Sequence, residues 1–218
     1  MYPHIARYNE MWSKGGVDRP LVILIGGYAG TGKSTLAKQL ASHFPHSTIL
    51  QTAVLRSLMR LSISKESNPF LHVHTYELSD VDVGKRQIPL IEKYETQVQP
   101  VTAFINELIN FAGTEKQQRI IEGAQILPRL LHPSSFVIST EMYLKVSDVE
   151  RHKRTIAGPT HNRTLTPEQF TDGRMIHDHI VEQAQSMGKE VYEIDEAYDK
   201  AMAHIDSVLE DFSRTARE

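Results

Sequence analysis

The most specific chemistry in the sequence lies in residues 27–34, which read Gly-Tyr-Ala-Gly-Thr-Gly-Lys-Ser and fit the pattern G-x-x-x-x-G-K-[ST] at every fixed position. Glycines let a backbone fold closely around phosphate oxygens, and the N–H groups of such a loop supply partial positive charge. Lys33 is expected to neutralise the β- and γ-phosphates of a nucleotide, and the Ser34 hydroxyl to bind Mg²⁺. The predicted nucleotide-binding residues are Gly27, Gly30, Thr31, Gly32, Lys33, Ser34 and Thr35.

Several classes of protein use such a loop, and motifs and charged side chains elsewhere in the sequence indicate which class this chain belongs to. The sequence has no N-K-x-D segment of the kind with which GTPases read guanine. It has Arg56 and Arg60 after the second predicted strand, Glu122 after the third, and the basic run 151–154 with Arg163 beyond it. This layout favours a small phosphotransferase, with arginines for an anionic acceptor and a basic lid over the transferring phosphoryl group.

These groups also have structural interpretations. Arg56 and Arg60 are one helical turn apart and could form a solvent-exposed helix face. The run 151–154 could likewise face solvent and pair with Glu150. Glu122 follows the end of an apolar strand, where a buried carboxylate without a partner is costly, so a role near Mg²⁺ or near the acceptor is favoured.

The composition is that of a globular protein without cysteine chemistry. The 218 residues are 40 % hydrophobic and 23 % charged, and the absence of cysteine excludes disulfides, thiolate metal sites and cysteine nucleophiles. The formal net charge of −3 gives no electrostatic basis for binding long nucleic acid or an anionic membrane. No apolar stretch approaches a membrane span and no signal peptide is evident, so a cytoplasmic location is expected. The pairs His72/His74 and His177/His179 lack a clear third ligand, which disfavours zinc.

Short apolar runs alternate with helical patterns along the chain, and these elements must position the charged residues. Strands are predicted at residues 21–25, 48–50, 119–121, 142–146 and 191–194. Helices are predicted at residues 4–12, 34–41, 53–61, 88–109, 166–187 and 197–212, with a further helix after residue 148. This alternation predicts an α/β fold in which helices cover both faces of a five-stranded parallel sheet, and the phosphate-binding loop after the first strand indicates the P-loop NTPase type.

Individual residues predict where some helices begin or break. Thr52 and Asp148 are predicted N-caps, and Thr166 with Gln169 is predicted to form a capping box. Pro100 lies inside the longest helical pattern and is expected to kink or split that helix.

The chain is expected to form a single domain over residues 1–218, with an N-terminal extension at 1–18. Residues 148–166 combine a basic helix start with the Gly158-Pro159 break and are expected to form a mobile lid. Closure of such a lid would exclude water from the transferring phosphoryl group.

Five short segments outside the phosphate-binding loop carry a family resemblance. The residues concerned are Thr52, Arg56 and Arg60; Tyr94, Gln97 and Val101; Glu122, Gly123 and Pro128; Ser147, Asp148, His152 and Arg154; and Phe170, Arg174 and Ile176. In these segments, residues 21–212 resemble the 2-phosphoglycerate kinase family of P-loop kinases, relatives of the nucleoside monophosphate kinases. Three positions depart from the family pattern: Ala53 replaces an aspartate, Gln125 a histidine and Arg129 a glycine.

The resemblance implies a kinase that uses ATP and Mg²⁺ and transfers the γ-phosphoryl group to a small phosphorylated or carboxylated acceptor. The catalytic residues that it implies are Lys33, Glu122 and Arg154, and the acceptor-binding residues are Arg56, Arg60 and Gln125. The aspartate replaced by Ala53 is the expected contact for the acceptor hydroxyl or its general base, and its loss favours one alternative, a nucleotide-binding regulatory module with decayed catalysis. A kinase of a nucleotide sugar or an RNA end is a further alternative, because the acidic net charge disfavours long nucleic acid and not a terminal nucleotide.

Overall fold

A five-stranded parallel sheet forms the centre of the molecule. The computed structural model describes residues 2–84, 87–132, 134–157 and 164–215. The strands are β1 (Leu21–Gly26), β2 (Ser47–Gln51), β3 (Gln118–Gly123), β4 (Ile138–Lys145) and β5 (Glu190–Glu193). Their order in the sheet is β2-β3-β1-β4-β5, and every neighbouring pair is parallel. The phosphate-binding loop follows the central strand β1 and therefore opens at the carboxyl edge of the sheet, where α/β folds bind their ligands.

Seven α-helices are present in the described residues: α1 (Pro3–Ser13), α2 (Lys33–Ala41), α3 (Thr52–Met59), α4 (Leu90–Thr114), α5 (Val149–Ile156), α6 (Pro167–Ser186) and α7 (Ala197–Thr215). Two predicted helix starts are confirmed. The Asp148 carboxylate accepts a hydrogen bond from the Arg151 N–H at 2.9 Å, and Thr166 forms the capping box with Gln169. Within the same residues, no helix combines the length and the apolar character needed to cross a membrane.

Helices cover both faces of the sheet, as predicted, because the side chains of β1 alternate between two apolar clusters. Val22 and Leu24 pack with residues of α3, α4 and α6 on one face. Leu21, Ile23 and Ile25 pack with residues of α1, α2 and α7 on the other face. All five side chains are buried, which explains why β1 is an unbroken apolar run in the sequence.

The longest helix, α4, continues through Pro100 to Thr114, so the predicted split is wrong. Proline has no N–H and cannot bond the carbonyl four residues earlier, which here belongs to Thr96. The side-chain amide of Asn68 donates a hydrogen bond to that carbonyl at 3.1 Å. A residue outside the helix thus satisfies the Thr96 carbonyl, and α4 continues past the proline.

Candidate active site

The phosphate-binding loop contacts helix α5 at Gly30. The backbone of Gly30 has a φ of 77°, a left-handed conformation that favours glycine. A Cβ at this position would lie 2.7 Å from Ile156 Cγ1 and 2.9 Å from the Ile156 backbone nitrogen. Helix α2 begins at Lys33, and the N–H groups of a first helical turn have no partner within the helix. The loop therefore forms a compact backbone cradle of the kind that binds phosphate.

The Lys33 ammonium lies within this loop, and the residue is only 8 % exposed. Its Nζ donates hydrogen bonds to the Tyr28 carbonyl and, at 3.3 Å, to Thr31 Oγ1. Burial lowers the pKa of Lys33 to about 8, and the negative charge of Glu122 opposes this shift. An additional anion beside Lys33, such as a phosphate, would favour its charged form.

Ser34 and Glu122 meet although they are far apart in the sequence. Strands β1 and β3 pair with Ile25 opposite Glu122, which brings the end of β3 beside the loop. Ser34 Oγ donates a hydrogen bond to Glu122 Oε1 at 2.6 Å, and Glu122 is 4 % exposed. The buried carboxylate thus has a partner. Hydroxyl and carboxylate oxygens are ligands that Mg²⁺ prefers, so this donor pair fits a magnesium ion.

A cleft of about 790 Å³ joins these groups at the carboxyl edge of the sheet. Gly27 and Thr31 are not among the described residues that line it. Thr31 is fully buried, and its Oγ1 donates a hydrogen bond to the Tyr28 carbonyl at 2.9 Å. The predicted site residues that line the cleft are Gly30, Gly32, Lys33, Ser34, Thr35, Arg56, Glu122, Gln125 and Arg154.

A second group of lining residues forms what we call the α3 wall: Ala53, Arg56, His74, Thr75, Tyr76 and Gln125. A buried hydrogen-bond network supports this wall. Thr52 Oγ1 donates to Gln125 Oε1 at 2.5 Å, and Gln125 Nε2 donates to Gln97 Oε1 at 3.2 Å and to Thr75 Oγ1 at 3.4 Å. The predicted capping role of Thr52 is wrong, because its hydroxyl bonds Gln125 and no side chain caps α3. The network fixes the Gln125 amide in one orientation.

Arg56 and Arg60 both bond backbone carbonyls of the segment that follows α3. Arg56 is 4 % exposed; its Nη1 donates to the Val73 carbonyl and its Nη2 lies 3.4 Å from His74 Nδ1. Arg60 Nε donates to the Leu71 carbonyl at 3.0 Å. Arg56 is therefore not part of a solvent-exposed face. Of the two, Arg56 is among the described lining residues and Arg60 is not, so direct contact of Arg60 with an acceptor stays a prediction.

Arg154 reaches the cleft from α5, the first part of the predicted lid. In the same helix, Arg151 forms an ion pair with Asp195 of the β5–α7 loop, whereas the sequence suggested Glu150 as a partner. The Gly158-Pro159 break and Arg163 lie outside the described residues. The mobility of the lid and the single-domain organisation stay predictions.

Sequence reasoning missed the contribution of residues 74–76 to the cleft. His74 and Tyr76 stack with parallel rings whose centroids are 5.2 Å apart. The His74 N–H donates to Glu77 Oε2 at 2.8 Å, which fixes the backbone at this point. The His72/His74 spacing by itself suggests only an incomplete metal site, but the acidic residue three positions after His74 is a helix-start pattern that indicates an ordered turn.

Comparison with curated proteins connects this cleft with a family. The chain is 31 % identical over 213 residues to the 2-phosphoglycerate kinase of Methanocaldococcus jannaschii, an alignment that covers 92 % of this chain and 68 % of that protein. The chain belongs to the 2-phosphoglycerate kinase family. It is also 28 % identical over 222 residues to the 2-phosphoglycerate kinase of Methanopyrus kandleri, covering 94 % of this chain and 67 % of that protein. No family model matches the chain. Membership identifies a P-loop kinase and implies that it uses ATP.

Solved structures of other small-molecule kinases confirm the fold of this member of the 2-phosphoglycerate kinase family. A gluconokinase from Sinorhizobium meliloti 1021 superposes with a TM-score of 0.54 at 11 % identity, covering 90 % of this chain and 97 % of that one. Shikimate kinase from Acinetobacter baumannii, solved in complex with shikimate, gives a TM-score of 0.50 at 15 % identity, covering 91 % and 98 %. The likeness establishes the P-loop kinase fold with its parallel sheet.

Behind the phosphate-binding loop, this kinase has four polar side chains that we call the histidine cluster: His152, Arg174, His177 and Asp178. His152 of α5 is fully buried, and its Nε2 lies 2.8 Å from the Ala29 carbonyl of the loop. Arg174 Nη1 lies 3.3 Å from His152 Nδ1. Because a carbonyl only accepts and a guanidinium only donates, the ring is neutral and carries its hydrogen on Nε2. Burial lowers the pKa of His152 to about 4, and the positive charge of Arg174 acts in the same direction.

The same cluster holds the junction between β4 and α5. His177 Nε2 accepts a hydrogen bond from the Val146 N–H at 3.1 Å, and its Nδ1 bonds Asp178 Oδ1 at 2.8 Å. Arg174 Nη1 donates to the Val146 carbonyl at 2.6 Å. Both backbone groups of Val146 are thus bonded to α6, and the cluster connects α6, the start of the predicted lid and the phosphate-binding loop.

We expect the kinase to lose stability as the pH falls from about 6.5 to about 4, because His152 is neutral in the fold. Its pKa is about 4 in the folded protein and about 6.5 in an unfolded chain, so the unfolded state binds a proton first. Stability that is fully present above pH 6.5 is lost progressively down to pH 4, and a shift of this size corresponds to about 3 kcal/mol of unfolding free energy. Urea unfolding of wild type and His152→Gln at several pH values measures this contribution. Parallel losses in the two proteins would contradict it.

Proposed function

We propose that this kinase transfers the γ-phosphoryl group of ATP to a small anionic acceptor of the 2-phosphoglycerate kind. The observation that carries the proposal is a single cleft that joins the Lys33, Ser34 and Glu122 group to the α3 wall with Arg56. The first group offers charge and oxygen ligands for a nucleotide with its metal ion. The second offers a guanidinium, the group best suited to a carboxylate or phosphate. The names of the relatives support 2-phosphoglycerate as the first acceptor to test.

The residues at the loop divide the work of phosphoryl transfer. Ser34 and Glu122 would hold Mg²⁺, which supplies charge neutralisation at the phosphate oxygens when it is bound. Lys33 from the loop and Arg154 from α5 would hold the γ-phosphoryl group. Phosphoryl transfer needs little covalent help from a protein, so positioning and charge neutralisation by these side chains would supply most of the rate enhancement.

The α3 wall would bind and orient the acceptor. Arg56 would pair with its anionic group, and the Gln125 amide, held by Thr52 and Gln97, would bond a neutral oxygen. Ala53 lines the cleft where the family has an aspartate and offers no hydrogen bond. Glu122 is the sole carboxylate among the described lining residues. If a carboxylate of this lining accepts the proton of the acceptor hydroxyl, it is therefore Glu122. Because the transition state of phosphoryl transfer is loose, the reaction needs little help from a base in removing that proton.

We expect anionic alcohols, 2-phosphoglycerate among them, to stimulate ATP consumption and neutral alcohols of similar size not to do so. Arg56→Lys keeps a positive charge but loses the two-pronged guanidinium, so the KM for the acceptor should rise about tenfold while ATP affinity stays the same. Arg60→Lys is the comparison variant, because Arg60 bonds the same segment but is not among the described lining residues; an equal rise in its KM would support the predicted contact of Arg60 with the acceptor, and an unchanged KM would assign the effect to Arg56. Steady-state kinetics with both substrates measure the effect. Equal use of neutral acceptors, with a silent Arg56→Lys, would contradict the proposed acceptor site.

A second candidate function is a nucleotide-binding regulatory module whose catalysis has decayed. The observation that favours it is the apolar Ala53 at the family's aspartate position within the cleft. Single-turnover ATP consumption separates the two functions. ATP that is bound tightly but consumed at the same slow rate with every acceptor supports the regulatory module, whereas a burst with one acceptor supports the kinase.

A further inference from the structure

The histidine cluster meets the phosphate-binding loop at the peptide between Ala29 and Gly30. His152 Nε2 donates to the Ala29 carbonyl at 2.8 Å. In a trans peptide, that carbonyl and the N–H of Gly30 lie in one plane and point in opposite directions. A bond that holds the carbonyl towards α5 therefore directs the Gly30 N–H away from α5. Gly30 itself lines the cleft.

This peptide needs a restraint because the residue on its carboxyl side is glycine. Gly30 has a φ of 77°, and glycine adopts positive and negative φ about equally well. The two common turn forms differ by rotation of the central peptide, and glycine permits that rotation. Rotation here would present the Ala29 carbonyl in place of the Gly30 N–H to anything bound in the loop. A carbonyl oxygen beside a phosphate oxygen places two acceptors in contact.

We propose that His152 is a positioning residue for nucleotide binding, which holds the Ala29–Gly30 peptide with its N–H towards the phosphates. The inference rests on the proposed function only in that the loop binds ATP; it is independent of the acceptor. His152 touches the loop and not the cleft, since it is not among the described lining residues. Arg174 completes the restraint, because its guanidinium donates to His152 Nδ1 and so keeps the hydrogen of the ring on Nε2.

The surroundings of His152 favour the neutral ring on which this restraint depends. A protonated ring would turn an N–H towards the N–H of Arg174 and would bring two positive charges together. The His177 ring lies beside it, with centroids 4.8 Å apart, and the Tyr28 ring contacts it edge-on at 6.4 Å. Among the described residues, the titratable and charged side chains around the ring are Arg174 and His177 of α6, Lys33 of α2 and Tyr28 of the loop. Asp178 of α6 bonds both Arg174 and His177.

Three variants of the full chain test the proposal by calorimetric ATP binding at pH 7.5. His152→Phe keeps a ring of similar volume and loses both hydrogen bonds, so the Kd for ATP should rise about tenfold. His152→Gln can donate to the Ala29 carbonyl and accept from Arg174, so its Kd should stay within about threefold of wild type. His179→Phe is the matched control, because His179 is a half-buried histidine of the neighbouring helix α6 that bonds Glu95 at 3.0 Å and not the loop. We expect its Kd to equal that of wild type.

Nitrogen NMR of the ¹⁵N-labelled wild type supplies a readout that a purely structural role would not move. The His152 ring should show a hydrogen on Nε2 at pH 7.5, and the Gly30 amide resonance should shift on ATP addition in wild type and His152→Gln but less in His152→Phe. A ring with its hydrogen on Nδ1, or a folded His152→Phe with wild-type ATP affinity, would overturn the proposal. Failure of the wild type to bind ATP would instead overturn the function of the loop. If His152→Phe does not fold, the tautomer of the His152 ring in the wild type and the Kd of His152→Gln for ATP still test the proposal.

Discussion

Replacing Lys33 with methionine should lower the rate of phosphoryl transfer by about 10²–10³-fold, the range found when one preorganised charge donor is removed from a transition state. Lys33 Nζ lies inside the loop, beside Thr31 Oγ1 and close enough to Glu122 to be influenced by its charge. Its charge matters most where negative charge develops on the transferring group, so kcat should fall more than ATP affinity does. Single-turnover transfer and calorimetric ATP binding measure the two effects.

The same variant should be at least as stable as wild type. Burial lowers the pKa of Lys33 to about 8, so the fold holds a charged lysine at a cost of about 3 kcal/mol relative to the unfolded chain at neutral pH. Between pH 8 and pH 10.4, Lys33 has lost its proton in the folded state but keeps it in the unfolded state. Wild-type stability should therefore rise with pH over that window, and the stability of Lys33→Met should not. A variant with near wild-type kcat, or one that loses activity only because it unfolds, would contradict the catalytic assignment.

The parts of this kinase that could be predicted from its sequence depend on residues that are near one another in the chain. The apolar run 21–25 and the loop after it indicate β1 and the phosphate-binding site without reference to anything distant. Asp148 caps α5 through the Arg151 N–H, three residues away. In each case, the interaction that determines the structure lies within a few positions, where spacing alone is informative.

The parts that could not be predicted depend on contacts between distant segments. Pro100 removes a hydrogen bond to the Thr96 carbonyl, which predicts a break in the helix, but Asn68 of another segment supplies a replacement donor. Thr52 has the residue type and position of a helix cap, but its hydroxyl donates a hydrogen bond to Gln125 instead. The motif residue His152 could be matched to a family segment, yet its contact with the Ala29 carbonyl appears only when α5 folds against the loop. Periodicity indicates which face is buried and not which polar groups meet there.

Replacing Glu122 with glutamine should reduce phosphoryl transfer by about 10²-fold or more and raise the Mg²⁺ concentration needed for half-maximal activity. Glutamine has nearly the same shape, and its carbonyl oxygen can still accept the hydrogen bond that Ser34 Oγ makes to Glu122 at 2.6 Å. The change therefore removes the negative charge and little else. ATP affinity measured without Mg²⁺ should change little at a pH at which Lys33 is protonated. Glu141→Gln is the matched control, because Glu141 lies on β4, pairs with Lys189 and is not among the described residues lining this cleft.

Glu122 has a second influence that the experiment must separate from metal binding. Its charge raises the pKa of Lys33 against the effect of burial, so Glu122→Gln should lower that pKa below about 8 and leave less charged Lys33 near pH 8. Lowering the pH from 8 to 6.5 increases the charged fraction of Lys33 in both proteins, so a loss that persists at pH 6.5 together with a raised Mg²⁺ requirement belongs to the metal site. Titration of Mg²⁺ at pH 6.5 and pH 8 for wild type, Glu122→Gln and Ser34→Ala distinguishes the two contributions. A deficit that disappears at pH 6.5, with unchanged Mg²⁺ dependence in both variants, would show that Glu122 acts through Lys33 and that Mg²⁺ is held elsewhere.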